Sequence, residues 1–135
     1  MRRTILLARK SFLLKNIPIG SIIINNNFEI GIGFNYSNLY FFTTNHGEVI
    51  ALAQASFYIS NKFLTGSVIY ITLEPCFLCL SSIIISRINN IIFSAYNTNN
   101  LKNNYNYKYK YKYIGGVLEK ESVTLLNNFF LFKRY

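Results

Sequence analysis

Only one histidine and two cysteines occur in this chain, and they fall in two short motifs, His46-Gly47-Glu48 and Pro75-Cys76-Phe77-Leu78-Cys79, about thirty residues apart. A fold in which the motifs act together must carry the chain away from residue 48 and bring it back by residue 75 to the same end of the molecule. One imidazole and two thiolates make a borderline-soft donor set that suits Zn2+, and three protein ligands leave a fourth tetrahedral position open to water. On a helix, Cys76 and Cys79 at i and i+3 share a face, and the positive end of the helix dipole lowers their thiol pKa. Pro75 suits the first turn of that helix, because the amide hydrogen it lacks has no partner there.

His46, Cys76 and Cys79 are therefore the candidate metal ligands, with one Zn2+ per subunit. Zinc with an open position lowers the pKa of water from about 15.7 towards roughly 7. Glu48, two residues from His46, can face that water without ligating, so it is the candidate catalytic proton carrier. This division of labour suits hydrolytic removal of an exocyclic amine. A closed structural zinc site needs a fourth ligand that the chain's own His and Cys do not supply. A redox pair would leave His46 and Glu48 without a role.

Hydrophobic periodicity orders the rest of the chain. Ile5, Ala8, Phe12 and Leu13 form one stripe, which predicts an amphipathic helix from residue 2 to about 15, stopped by Pro18 and Gly20. Ser21 to Ile24, the turn Asn25-Asn26-Asn27 and Phe28 to Phe34 predict a hairpin. Residues 35–45 form a loop that delivers His46 to a helix over 48–60. A strand over 67–73, a helix from Pro75 to about Ile88 and a strand over 91–95 follow. Residues 97–113 are polar, basic and of low complexity, with an alternating Lys/Tyr run that suits an exposed edge strand; Gly115-Gly116 then precedes a helix over 119–132 carrying Val123, Leu126, Phe129 and Phe130. Helices alternating with strands after a hairpin imply crossover connections on a mixed sheet, hence a three-layer α/β/α domain of the α/β class.

With 135 residues the chain fits one domain, 1–135. Two cysteines three apart fit a reducing compartment, and no apolar run approaches the roughly 18 residues needed to span a bilayer, so a soluble, cytoplasmic protein with no membrane role is expected. The opening residues read as a packed helix rather than an organelle leader. The formal charge is +9, and all five acids are glutamates. That balance favours polyanionic partners, although the Asn, Ile, Lys and Tyr content of an AT-rich genome produces it equally well.

At these residues the sequence resembles the cytidine and deoxycytidylate deaminase superfamily, whose signature is H-x-E followed by P-C-x-x-C, and within it the bacterial tRNA-specific adenosine deaminases. The likeness runs from residue 1 to about 96: Ile17-Pro18-Ile19-Gly20 is similar to the family's VPVGA, Gly33-Phe34-Asn35 to its GWN, Tyr70 to Cys76 to its YVTLEPC, and Ser86-Arg87-Ile88 to its SRI. Gly116-Val117-Leu118 and Phe129-Phe130 resemble the C-terminal GIL and FF. The resemblance implies a cytidine-deaminase-like fold with a mixed five-stranded sheet. It also implies a homodimer that binds the anticodon arm of tRNA and converts adenosine at the wobble position to inosine. A free-base or nucleoside deaminase (cytosine or guanine) shares the metal chemistry, and an inactive zinc-stabilised RNA-binding module is the reading from outside enzymology.

By the same resemblance, Asn35 hydrogen-bonds the target base, the backbone at Gly47 touches it, Ile17 packs on it, and Asn97 contacts the neighbouring RNA. The chain departs from the family pattern at Gly47 (usually Ala), Leu78 (commonly Met) and Asn97 (usually Asp). The stretch after the fourth strand is shortened, and the Lys/Tyr run stands in place of the helix expected there. Lys108, Lys110 and Lys112 with Tyr107 and Tyr109 are either RNA contacts or a solvated insertion.

Overall fold

The computed structural model describes residues 1–36, 45–98 and 111–133. In chain order the elements are α1 (Arg2–Leu13), β1 (Gly20–Asn25), β2 (Phe28–Phe34), α2 (Gly47–Tyr58), β3 (Val68–Leu73), α3 (Phe77–Ile85), β4 (Asn90–Ala95), β5 (Lys112–Ile114) and α4 (Glu119–Lys133). The five strands form one sheet in the order β2-β1-β3-β4-β5, with β1 antiparallel to β2 and β3, and β4 parallel to β3 and β5. The hairpin turns on Asn26 and Asn27, both at positive φ, which Asn tolerates better than most residues.

Glycines set how closely helices approach the sheet. On β2, a Cβ at Gly33 would stand 1.9 Å from the Gly47 carbonyl oxygen and one at Gly31 would stand 2.3 Å from that of Ala51, so α2 lies against the strand backbone itself. On β1, a Cβ at Gly20 would meet the Thr4 carbonyl oxygen at 2.3 Å, which places α1 on the opposite face. Helix α3 packs beside α2, and α4 beside α1, completing three layers. The main core lies between the sheet and the α2/α3 layer, where Ile23, Ile69, Ile71, Ile91 and Phe93 meet Ala51, Ala55, Leu80 and Ile83. The central strands β3 and β4 read as near-continuous apolar runs because helices cover both their faces. Among the described residues, no helix is long and apolar enough to cross a membrane.

Three expectations need correction. Helix α3 starts at Phe77 with Cys76 as its N-cap, so Pro75 precedes the first turn, and the helix ends at Ile85. Arg87 at φ 62° then takes the chain out of helical geometry before Ile88. Leu13 belongs to the predicted apolar stripe yet is 79% exposed, and on α4 only Phe129 of the predicted stripe is buried, Phe130 being 48% exposed. Helix α1 buries Thr4, Ile5, Ala8 and Ser11, and α4 buries Ser122 and Phe129; the two helices meet through Phe12 against Phe129 and Phe132, and Leu13 and Phe130 lie outside these contacts. Of the Lys/Tyr run expected to form an edge strand, Lys112 and Tyr113 lie in β5 at the sheet edge and Tyr111 just before it, while Tyr107, Lys108, Tyr109 and Lys110 lie outside the described residues.

Candidate active site

The parallel strands β3 and β4 run in one direction, and side chains gather beyond their carboxyl ends, where ligand sites of α/β sheets form. Three segments meet there. The end of β2 supplies Asn35, the start of α2 supplies His46, Gly47 and Glu48, and the turn from β3 into α3 supplies Glu74 to Cys79.

His46 is the N-cap of α2 and Cys76 the N-cap of α3, and neither side chain caps its own helix; both are turned to each other. His46 Nδ1 lies 3.2 Å from Cys79 Sγ and 3.7 Å from Cys76 Sγ. The three donor atoms all fall within 4.8 Å of one another. Tetrahedral zinc with ordinary bond lengths sets nitrogen and sulfur roughly 3.6 Å apart, so the spacing fits such an ion without moving the backbone. Cys79 sits in the first turn of α3, one turn above the Cys76 cap, so the i, i+3 spacing still puts both sulfurs on one side.

The two thiols compete for one charge. A hydrogen bond from Cys79 lowers Cys76 first, with further help from the Cys79 amide and the His46 ring, and brings its pKa to about 5 against the cost of burial. The same contact pushes Cys79 up, and burial adds to it. A cation bound by both sulfurs would relieve that competition. Glu48 is 3% exposed, and its Oε2 is buried with no hydrogen-bond partner. Burial is the largest influence on its carboxyl, and its pKa rises to about 6 despite its own backbone hydrogen bond; the Cys76 thiolate pushes it up further. A buried oxygen with no donor among the described residues, beside a soft three-donor cluster, is the arrangement expected of a carboxylate kept for a bound reactant.

Asn35 lies in the wall of the same site. Its Oδ1 accepts the Gly47 amide at 2.8 Å, which leaves the Nδ2 donors on the other side of the carboxamide. The Gly47 amide is thereby taken by Asn35. A Cβ at Gly47 would stand 3.0 Å from the Phe34 Cα, so glycine there lets the start of α2 close on the end of β2. Ile17 is 39% exposed, with its carbonyl tied to α1 by Ser11. Asn97 follows β4, and its amide donates to Glu74 Oε2 at 3.1 Å.

Glu74, which sequence reasoning noted only as part of a motif, is 8% exposed and joins two elements. Its Oε2 holds Asn97, and its Oε1 accepts the Tyr113 hydroxyl at 3.1 Å. A carboxylate set immediately before Pro75-Cys76, in a chain with few acids, is the signal that could have found it. Ser11 carried no such signal.

A family model of MafB19-like deaminases matches residues 1–133 of this chain. The chain belongs to that deaminase family. The deaminase is 35% identical over 99% of its length to a tRNA-specific adenosine deaminase of Buchnera aphidicola subsp. Baizongia pistaciae, covering 88% of that protein. It is 34% identical over 99% of its length to the tRNA-specific adenosine deaminase of Haemophilus influenzae, covering 83% of it. Its fold superposes, at a TM-score of 0.83 and 22% identity, on a structure solved in work on A-to-I editing by tRNA:A34 deaminases, over 93% of this chain and 97% of the other. That likeness establishes the cytidine-deaminase-like fold of this family member, with a mixed five-stranded sheet and four helices among the described residues.

Proposed function

We propose that this chain is a single-domain, zinc-dependent deaminase, residues 1–135, that hydrolyses adenosine to inosine at the wobble position of tRNA in the cytoplasm. The observation that carries the reading is the cluster of His46 Nδ1, Cys76 Sγ and Cys79 Sγ beside the buried Oε2 of Glu48, which has no hydrogen-bond partner among the described residues. The substrate class follows from the relatives of this chain, two of which bear the name tRNA-specific adenosine deaminase at 34–35% identity.

His46, Cys76 and Cys79 would hold one Zn2+, which when bound supplies Lewis acidity and makes a water acidic enough to react near neutral pH. Glu48 does the proton work. Its Oε2 takes a proton from the water that attacks the amine-bearing carbon and delivers it to the adjacent ring nitrogen. It then takes the second proton from the newly added hydroxyl and passes it to the leaving amine as the C–N bond breaks and the carbonyl forms, so adenosine and water become inosine and ammonia. A carboxyl whose pKa is raised to about 6 by burial accepts and returns protons near neutrality. Asn35 offers its Nδ2 to the base, Ile17 covers one face of the ring, and the Gly47 backbone closes the pocket floor. Asn97 lies where the flanking nucleotide would pass. An anticodon loop presents a splayed base at little unpairing cost, and a chain of net charge +9 suits its phosphates.

A homodimer accords with the apolar surface left on the α2/α3 layer: Phe57 is 87% exposed, and Leu78 and Ile85, two turns apart on one side of α3, are 45% and 73% exposed. The direct test of function is incubation of zinc-loaded protein with an anticodon stem-loop bearing adenosine at position 34, read by inosine sequencing. Conversion is expected. Ammonia release from free guanine or cytosine with none from the stem-loop would replace this reading with that of a free-base deaminase.

A further inference from the structure

Ser11 stands in the last turn of α1 at 0% exposure, a costly place for a hydroxyl unless it is bonded. A serine within a helix ordinarily turns its hydroxyl back to the carbonyl one turn earlier or out to solvent. Here Oγ leaves the helix and lies 2.8 Å from the carbonyl oxygen of Ile17 and 2.8 Å from that of Asn35. One proton is shared between two acceptors that belong to different loops. The end of α1 is shaped to allow this. Lys15 adopts φ 61°, the Asn16 amide donates to the Ser11 carbonyl and the Lys15 amide to that of Phe12, so the chain folds back and returns Ile17 over Ser11. The Asn35 amide then donates to the Ile19 carbonyl at 3.0 Å, which closes the junction between the two loops.

Both acceptor residues line the pocket of the proposed reaction, and Asn35 also holds the Gly47 amide. We propose that Ser11 is a positioning residue for substrate. By clamping the Asn35 carbonyl to that of Ile17, it aims the Asn35 carboxamide at the base. Ser11 touches neither substrate nor the ligand cluster, and it acts through Asn35. This inference rests on the deaminase reading for its substrate, though its geometric half does not.

The test uses the full, zinc-loaded chain and the variants S11A, N35A and S11A/N35A on the adenosine-34 stem-loop. S11A is expected to raise KM about tenfold, the scale of one hydrogen bond, with zinc stoichiometry unchanged. In the N35A background under single-turnover conditions, S11A should add less than about twofold, because coupled sites are non-additive. Amide exchange gives a readout free of catalysis: in S11A the Gly47 amide should exchange about tenfold faster relative to the β3 amides, which report global unfolding. An unchanged KM, additive effects, or uniform acceleration of all amides would overturn the proposal, since a merely structural serine predicts these. Should the wild-type chain fail to deaminate the stem-loop, the functional reading falls, and the Gly47-to-β3 exchange ratio alone decides for or against the clamp.

Discussion

Glu48 differs from the three proposed ligands beside it in one respect that mutation can expose: in the proposed reaction it moves protons and does not hold the metal. E48A is expected to lower kcat by about 10²–10⁴-fold, the usual contribution of a positioned proton carrier, with RNA affinity and zinc stoichiometry as in wild type. Kinetics paired with metal analysis checks this. Zinc lost together with activity would make the carboxylate a ligand instead. These residues were legible in the sequence because Cys76 and Cys79 stand at i and i+3, a spacing that shares one helix face, and because the chain's one histidine stands two residues before a glutamate. Ser11 and Tyr113 were not legible. Each acts through one hydroxyl on a partner 24 or 39 positions away, and no local pattern encodes that.

Among the elements, the edge strand β5 gains its importance from a single side chain. Tyr113 packs against Phe93 with ring centroids 4.9 Å apart and delivers its hydroxyl to Glu74, so the last of the Lys/Tyr run is anchored to the turn that carries Cys76. Y113F keeps the ring and leaves half of a buried carboxylate without its donor, and is expected to cost about 1–2 kcal/mol at pH 7. Burial, reinforced by Glu74, holds the Tyr113 phenol above its ordinary range. The stability this residue contributes is therefore fully present below the unfolded value near pH 10 and declines as pH rises above it, when the unfolded chain ionises and the folded one does not. The gap between wild type and Y113F should narrow above about pH 10 in paired urea titrations; a constant gap would show that the phenol is not held neutral. The sequence showed this strand only as an alternation, since pairing with β4 is a matter of register across the sheet. Likewise, the i, i+3 cysteine spacing was visible, but the start of α3 was misplaced because a proline before a cap and a proline in a first turn look alike in sequence.

For the whole molecule, alternation of helix and strand was enough to imply crossovers and three layers, while the order β2-β1-β3-β4-β5 came only with the coordinates. The charge of +9 remained ambiguous in sequence because genomic composition and polyanion binding leave the same mark on a residue count. The proposed metal requirement is tested on the molecule as a unit. A strong chelator is expected to abolish deamination and lower Tm by several degrees, with both recovered on adding Zn2+, since ligand binding to the native state adds to folding free energy. Full activity in a metal-free preparation would contradict it. Helices α2 and α3 each begin on a residue whose side chain has been diverted from closing its own first turn. An ordinary cap contributes about 1 kcal/mol, and both have been given up at the same spot. A descendant relieved of the chemistry could regain both caps by a change to Ser, Asp or Asn at each position, so a folded relic that has shed its activity would stand to gain stability.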